Sequence, residues 1–72
     1  MEIGDTAYAF RWLQEGHTTE TTSTRKFETL AEVEALCKRL NRRWLPHLVH
    51  WPVKYEAKVL KSGKNGWVEE KD

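Results

Sequence analysis

The segment TLAEVEALCKRLNRRW, residues 29–44, carries the clearest structural signal in the chain. Thr29 and Glu32 form a T-x-x-E capping box, which satisfies two backbone N–H groups at the start of a helix. The apolar residues then recur at the spacing of one helix face. They are Leu30, Val33, Leu36, Cys37, Leu40 and Trp44. Pro46 disfavours helical geometry at the residue before it, so the helix is predicted to end around Arg43 or Trp44.

An amphipathic helix has to bury its apolar face against another element, and the residues before this helix predict a β-strand that could cover it. Tyr8, Phe10 and Trp12 alternate with smaller or polar residues, the period-two pattern of a half-buried strand. Gly16 lies in the turn that follows. The threonine-rich run 18–27 is predicted as a second strand, solvent-facing or at a sheet edge, because β-branched residues favour strands. A flexible loop is the alternative for its first half.

A second strand pair is predicted after the helix. Val53, Tyr55, Ala57 and Val59 alternate with Lys54, Glu56 and Lys58, which is typical of a strand with one wet face. Pro52 lacks a backbone donor and is expected at the entrance or edge of this strand. Asn65-Gly66 favours a hairpin turn, and residues 67–69 follow as a short strand. We therefore expect a single α+β domain over residues 1–72, in which an antiparallel sheet of three to four strands packs on one helix in the order ββαβ or ββαββ.

Charge is distributed unevenly along this 72-residue chain. Residues 1–36 contain three basic and seven acidic residues, whereas residues 37–72 contain nine and four. Such polarity favours an acidic partner. The predicted basic binding surface consists of Lys38, Arg39, Arg42, Arg43, Lys54, Lys58, Lys61 and Lys64, with Trp51 and Trp67 as candidate aromatic contacts. The alternative is that these residues are solvated, complement the helix dipole and protect a sheet edge.

Catalytic and metal-binding patterns are weak in this sequence. No nucleophile–base set, glycine-rich phosphate loop or H-E-x-x-H motif is present, so we expect a non-enzymatic protein without a cofactor. The one metal-like grouping is His47 and His50 with Cys37. Zinc sites usually have four nitrogen or sulfur ligands, so we interpret these as loop, strand and core residues and predict no metal site.

The cellular setting is predicted from cysteine content and hydropathy. A single cysteine excludes an internal disulfide and favours a reducing, cytoplasmic location. No apolar run approaches the roughly 18 residues of a membrane span, and residues 1–5 lack the features of a signal peptide. We therefore expect no membrane association.

The stretch from Tyr8 to Leu40 resembles the arm-type DNA-binding domain of phage integrases. The matching segments are residues 10–12 (Phe-Arg-Trp), residues 25–27 (Arg-Lys-Phe) and residues 29–35 (Thr-Leu-Ala-Glu-Val-Glu-Ala). The resemblance implies a sheet set against DNA. Residues 18–24, however, lack the basic side chains that such a sheet would present.

The whole chain is similar in length and layout to small phage or mobile-element proteins, including anti-CRISPR proteins of hairpin–helix–hairpin design. That resemblance implies a protein that acts by covering a surface of a larger host complex.

The leading hypothesis is a small interaction protein that binds a larger protein or nucleoprotein complex and modulates it, with inhibition as the expected effect. Its basic residues would dock on an acidic patch or where the partner holds nucleic acid. One alternative is a nucleic-acid-binding module that uses residues 38–64 directly. Another is a structural or assembly subunit that pairs through its threonine-rich edge strand. Both a monomer and a homodimer are compatible with the sequence.

Overall fold

A computed structural model describes residues 2–70 of the chain, which form one helix and a four-stranded sheet. In chain order the elements are β1 (Thr6–Gln14), β2 (Thr21–Thr22), α1 (Leu30–Trp44), β3 (Leu48–Val59) and β4 (Asn65–Glu69). The spatial strand order is β2-β1-β3-β4, and every pairing is antiparallel. The α+β class, the single helix and the antiparallel sheet are confirmed, and the sheet has four strands.

Helix α1 begins and ends at its sequence signals. The backbone N–H of Glu32 donates to Thr29 Oγ1 at 3.2 Å, which caps the first turn. Leu45 is extended, and its N–H still donates to the carbonyl of Asn41 at 2.9 Å. The buried stripe of the helix is shorter than the apolar pattern predicts, because Leu30 and Trp44 at the two ends of the helix remain 41% and 42% exposed.

The hydrophobic core lies between α1 and the sheet. Its buried centre is Phe27, Val33 and Cys37, against which Tyr8, Phe10 and Leu36 pack. Phe27 is held to β1 by two backbone hydrogen bonds with Tyr8, of 2.9 and 2.7 Å. The prediction that the aromatic face of β1 points toward the helix is therefore correct. We call this side of the sheet the helix-side face.

The threonine-rich segment forms less strand than predicted. Only β2, two residues of the run 18–27, is a strand, although it does lie at the sheet edge. Tyr8 and Arg11 are three residues apart on β1, whereas the residues paired with them, Phe27 and Thr22, are five residues apart. The segment between Thr22 and Phe27 therefore contains a bulge. Ser23 stabilises the bulge, because its Oγ accepts from the N–H of Phe10 at 3.2 Å and donates to the carbonyl of Arg25 at 3.1 Å.

Strand β3 begins earlier than predicted and contains Pro52, which is paired in register with Phe10. The backbone N–H and carbonyl of His50 point away from β1, since both bond to the Asn41 side chain. Pro52 lies two residues further along, so its nitrogen points in the same direction, to a side of β3 that β4 does not reach. Within residues 2–70 no strand lies there that would need the N–H group that proline lacks. The edge position predicted for Pro52 is therefore correct.

The apolar face of β3 lies on the side of the sheet that the helix does not cover. Lys54 pairs in register with Tyr8, which packs against the core, so Lys54 shares the helix-side face. The alternating apolar residues of β3 consequently point to the opposite side, which we call the open face. Its larger side chains are Trp51, Val53, Tyr55 and Trp67.

The sheet curls toward the open face. Arg11 on β1 pairs with Trp51 of β3, and Glu69 on β4 pairs with Tyr55, four residues further along β3. In a flat sheet the Cα atoms of Arg11 and Glu69 would therefore be about 16 Å apart. Their side chains nevertheless meet, with Arg11 Nη1 2.7 Å from a carboxylate oxygen of Glu69. Strong right-handed twisting and coiling bring these two corners together. The curl also helps to bury the small residues Ala9 and Ala57 beneath their larger neighbours.

Candidate interaction surfaces

Four basic side chains form a continuous stripe on the solvent side of α1, which we call the basic helix face: Lys38, Arg39, Arg42 and Arg43. Their spacing places them on neighbouring turns, roughly opposite the buried residues Val33 and Cys37. All four are exposed, and none forms an ion pair within residues 2–70. The guanidinium carbon of Arg43 lies 5.5 Å from the centroid of the Trp44 ring. This surface is positively charged and exposed to solvent.

The two lysines on strand β3 are placed differently from the helix residues. Lys54 Nζ lies 3.3 Å from a carboxylate oxygen of Glu70, and Lys58 Nζ lies 3.5 Å from one of Glu56. Both carboxylates partly neutralise the charge that these lysines present to solvent. Lys54 and Lys58 therefore contribute less positive potential than their number in the sequence indicates.

Lys61 and Lys64, the turn lysines, lie at the far end of the molecule from the basic helix face. Asn41, in the same helical turn as Arg42, bonds to His50 near the start of β3. The turn lysines follow the end of β3 at Val59, about 30 Å further along the strand. The structure thus separates the predicted basic residues into three groups, on the helix, on β3 and in the turn, and the helix group is the largest compact cluster without ion pairs in residues 2–70.

Trp51 and Trp67, the candidate aromatic contacts, both lie on the open face. Trp51 pairs with Arg11 and Trp67 with Ala57, so about 20 Å of strand separates them. Tyr55 lies between them, with Lys26 Nζ 5.0 Å from the centroid of its ring. Both tryptophans are partly buried and lie on the opposite side of the sheet from the basic helix face. The structure does not place these aromatic rings and the helix cations on one surface.

The charge of Arg11 on the open face is paired with a carboxylate. Arg11 bonds to Glu69, and its Nε donates to Thr22 Oγ1 at 2.9 Å. The hydrogen bond to Glu69 raises the pKa of Arg11, and burial acts in the opposite direction. With the positive charge of Arg11 matched by a carboxylate and Lys26 placed over Tyr55, the open face attracts phosphate groups less than the basic helix face does.

The histidine and cysteine side chains lie in separate environments. His47 is exposed and its Nδ1 lies 3.4 Å from a carboxylate oxygen of Glu15, whereas His50 is buried against Asn41. Cys37 is part of the core, and burial followed by the charge of Glu34 raises the pKa of its thiol. Residues 2–70 contain no group of three or more His, Cys, Asp or Glu side chains placed to hold a metal ion.

Two surface cavities were not predicted from the sequence. One, of about 510 Å³, lies between the loop before β1 and Trp67, with Lys26 and Glu28 on its wall. The other, of about 500 Å³, lies between α1 and the β2 edge. We call the second cavity the β2 groove, and its lining residues are Phe10, Trp12, Thr21, Thr22, Ser23, Thr24, Arg25, Phe27 and Leu36. Both cavities depend on how elements pack, which local sequence patterns do not encode.

No helix within residues 2–70 has the length and apolar character needed to cross a membrane. No protein-family model matches the chain, and neither a curated protein nor a solved structure is significantly similar to it.

Proposed function

We propose that this chain is a small, non-enzymatic interaction protein that binds and modulates a larger protein or nucleoprotein complex. The observation that carries the proposal is the basic helix face, where four exposed cations have no carboxylate partner within residues 2–70. The chain binds through this face to an acidic surface of its partner and inhibits by covering that surface. This mode of action is the one expected of a phage-encoded, anti-CRISPR-like protein.

Charge complementarity favours an acidic patch over a site where the partner normally holds nucleic acid. A nucleic-acid channel is itself positively charged, so it would repel four clustered cations. An acidic patch attracts them, which raises the association rate and orients the approaching molecules. The like charges on α1 also repel one another in the free protein, and a carboxylate-rich partner relieves that repulsion.

A pair of charge reversals at the two basic ends of the molecule tests the proposal. The variant Arg39→Glu/Arg43→Glu should lose those proteins that the unaltered chain captures from nuclease-treated cell lysate. The matched control, Lys61→Glu/Lys64→Glu, makes the same change in net charge at the turn and should retain them. Circular dichroism establishes that both variants fold. If both variants capture the same proteins with unchanged salt dependence, the basic helix face is not the binding surface.

A nucleic-acid-binding module is the second candidate, because the same unpaired cations could neutralise phosphates directly. Fluorescence anisotropy with a mixed-sequence single-stranded oligonucleotide tests it. Four phosphate contacts predict a slope of about −3 in a plot of log affinity against log salt concentration. Absence of binding at low ionic strength, on the order of tens of millimolar, would exclude direct nucleic-acid binding at this face.

A further inference from the structure

The β2 groove exists because α1 is not centred over the sheet. The helix packs mainly against β3 and contacts β1 much less, so the edge next to β2 is incompletely covered. Phe10 and Trp12, whose ring centroids are 5.4 Å apart, therefore line an opening rather than a closed core. Phe27 and Leu36 complete its apolar surface. This opening has the size and apolar lining that suit a bulky side chain.

The polar part of the groove has a specific charge. The guanidinium carbon of Arg25 lies 4.8 Å from the centroid of the Phe27 ring, which places a cation beside the apolar floor. None of the residues that line the groove is acidic. The Ser23 hydroxyl is already engaged in the bulge, whereas Arg25 is exposed. A ligand with an apolar group next to a carboxylate matches both features.

The groove also borders a free strand edge. The N–H of Ser23 donates to the carbonyl of Phe10 at 2.8 Å, so the backbone of Ser23 faces β1. Because successive backbone groups in a strand alternate in direction, the N–H and carbonyl of Thr22 point outward at the sheet edge. An extended chain can therefore form main-chain hydrogen bonds there. With only two residues in β2, most of the affinity has to come from a side chain in the groove.

We propose that the β2 groove binds an extended peptide segment of a partner protein that carries a bulky aromatic side chain and, two residues away on the same face of the peptide strand, a carboxylate. The peptide backbone pairs with Thr22, the aromatic ring packs against Phe10 and Trp12, and the carboxylate bonds to Arg25. This inference rests on the proposed function as an interaction protein, but it uses a surface different from the basic helix face.

A second copy of this chain fits the groove less well. An edge-to-edge dimer through β2 would present the side chains of its own threonine-rich segment to the partner's groove. Residues 18–22 offer only threonines and Glu20, and none of these is bulky enough to fill an opening of about 500 Å³. A partner with an aromatic anchor occupies more of this space than threonine does and removes the exposed surface of Trp12 from water.

Titration of the ¹⁵N-labelled full chain with the peptide Thr-Val-Trp-Val-Glu-Thr, in which Trp and Glu share one face of an extended strand, followed by NMR, tests the inference. Chemical-shift changes should map to residues 21–25, Phe10 and Trp12. Peptides with Ala in place of Trp, or Lys in place of Glu, should bind about tenfold more weakly, since each removes one of the two anchors.

Two neighbouring residues provide a matched pair of variants. Arg25→Glu should weaken binding of the Trp-Val-Glu peptide about tenfold. Lys26→Glu makes the same charge change, but its side chain lies over Tyr55 on the open face, so binding should stay within about twofold. Equal effects of both variants would reduce the interaction to general electrostatics and overturn the inference.

The remaining outcomes also decide the question. Shifts confined to Trp51 and Trp67, or no shift at millimolar peptide, would contradict a site in the β2 groove. Concentration-dependent shifts at residues 21–25 without peptide would assign this edge to a second copy. The Arg39→Glu/Arg43→Glu variant should still bind the peptide, so failure of the groove and failure of the basic helix face are distinguishable.

Discussion

At the scale of single residues, His50 is the clearest case of a group whose titration is changed by folding. Its ring is buried between α1 and the sheet, 6.1 Å from the Phe10 ring and 6.5 Å from the Trp12 ring, measured between centroids. Burial lowers its pKa from the ordinary value of 6.5. Its Nδ1 lies 2.9 Å from Asn41 Oδ1, an acceptor, so the neutral ring carries its proton on Nδ1.

The sign of the pH effect follows from this lowered pKa. Below pH 6.5 the unfolded chain binds a proton at His50 more readily than the folded chain does. The free energy of unfolding is therefore expected to fall as the pH decreases from 6.5 toward the folded-state pKa, with a limiting slope of about 1.4 kcal/mol per pH unit. Urea unfolding between pH 7.5 and 5 measures this slope.

Two histidine variants identify the residue responsible. His50→Asn keeps a donor near Asn41 and removes the titrating group, so this pH dependence should flatten although the protein is less stable overall. His17→Asn, at an exposed position, should retain it. An unchanged slope in His50→Asn would assign the effect to another group.

At the scale of elements, Asn41 joins α1 to the free edge of β3. Its side chain donates to the His50 carbonyl at 3.0 Å and accepts from the His50 N–H at 2.7 Å, so it takes the place of a missing neighbouring strand. This contact also fixes the helix beside β3, which leaves the β2 side open. The docking of α1 and the existence of the β2 groove therefore have a common cause.

Removal of this contact should destabilise the fold. Asn41→Ala leaves both backbone groups of His50 without their protein partner, and we expect a loss of about 2–3 kcal/mol in the free energy of unfolding. Arg42→Ala, the next residue on the same helix and exposed, should change it by less than about 0.5 kcal/mol. Equal losses in the two variants would mean that the Asn41 contact contributes no more to stability than an exposed side chain of the same helix, since alanine itself favours the helix in both.

At the scale of the whole molecule, the Arg11–Glu69 pair joins the two strands that flank β3 and reports the curl of the sheet. The side chains are 19% and 21% exposed, so they are less screened by water than a surface pair. Arg11→Met should cost about 1–3 kcal/mol, and the double variant with Glu69→Met should lose less than the sum of the two single variants.

The matched comparison is the more exposed pair of Lys54 and Glu70. Lys54→Met should change the free energy of unfolding by less than about 1 kcal/mol, because a surface ion pair contributes little. If the two methionine variants are equally stable, Arg11–Glu69 is a surface pair in energetic terms and does not support the curled sheet.

The sequence by itself determined the features that depend on short-range contacts. The limits of α1 follow from Thr29 and Pro46, whose effects reach only a few residues, and the buried face of β1 follows from its period-two pattern. The α+β class and the edge position of Pro52 follow from the same kind of local chemistry.

Only the tertiary structure decided how these elements share surfaces. The offset of α1 toward β3, the bulge at Ser23 and the curl that joins Arg11 to Glu69 all depend on residues far apart in the chain. For the same reason the sequence did not reveal that the basic residues fall into separate groups, or that the apolar face of β3 points away from the helix. Local patterns specify which residues share a face, whereas packing decides what covers that face, because burial is a property of the neighbours.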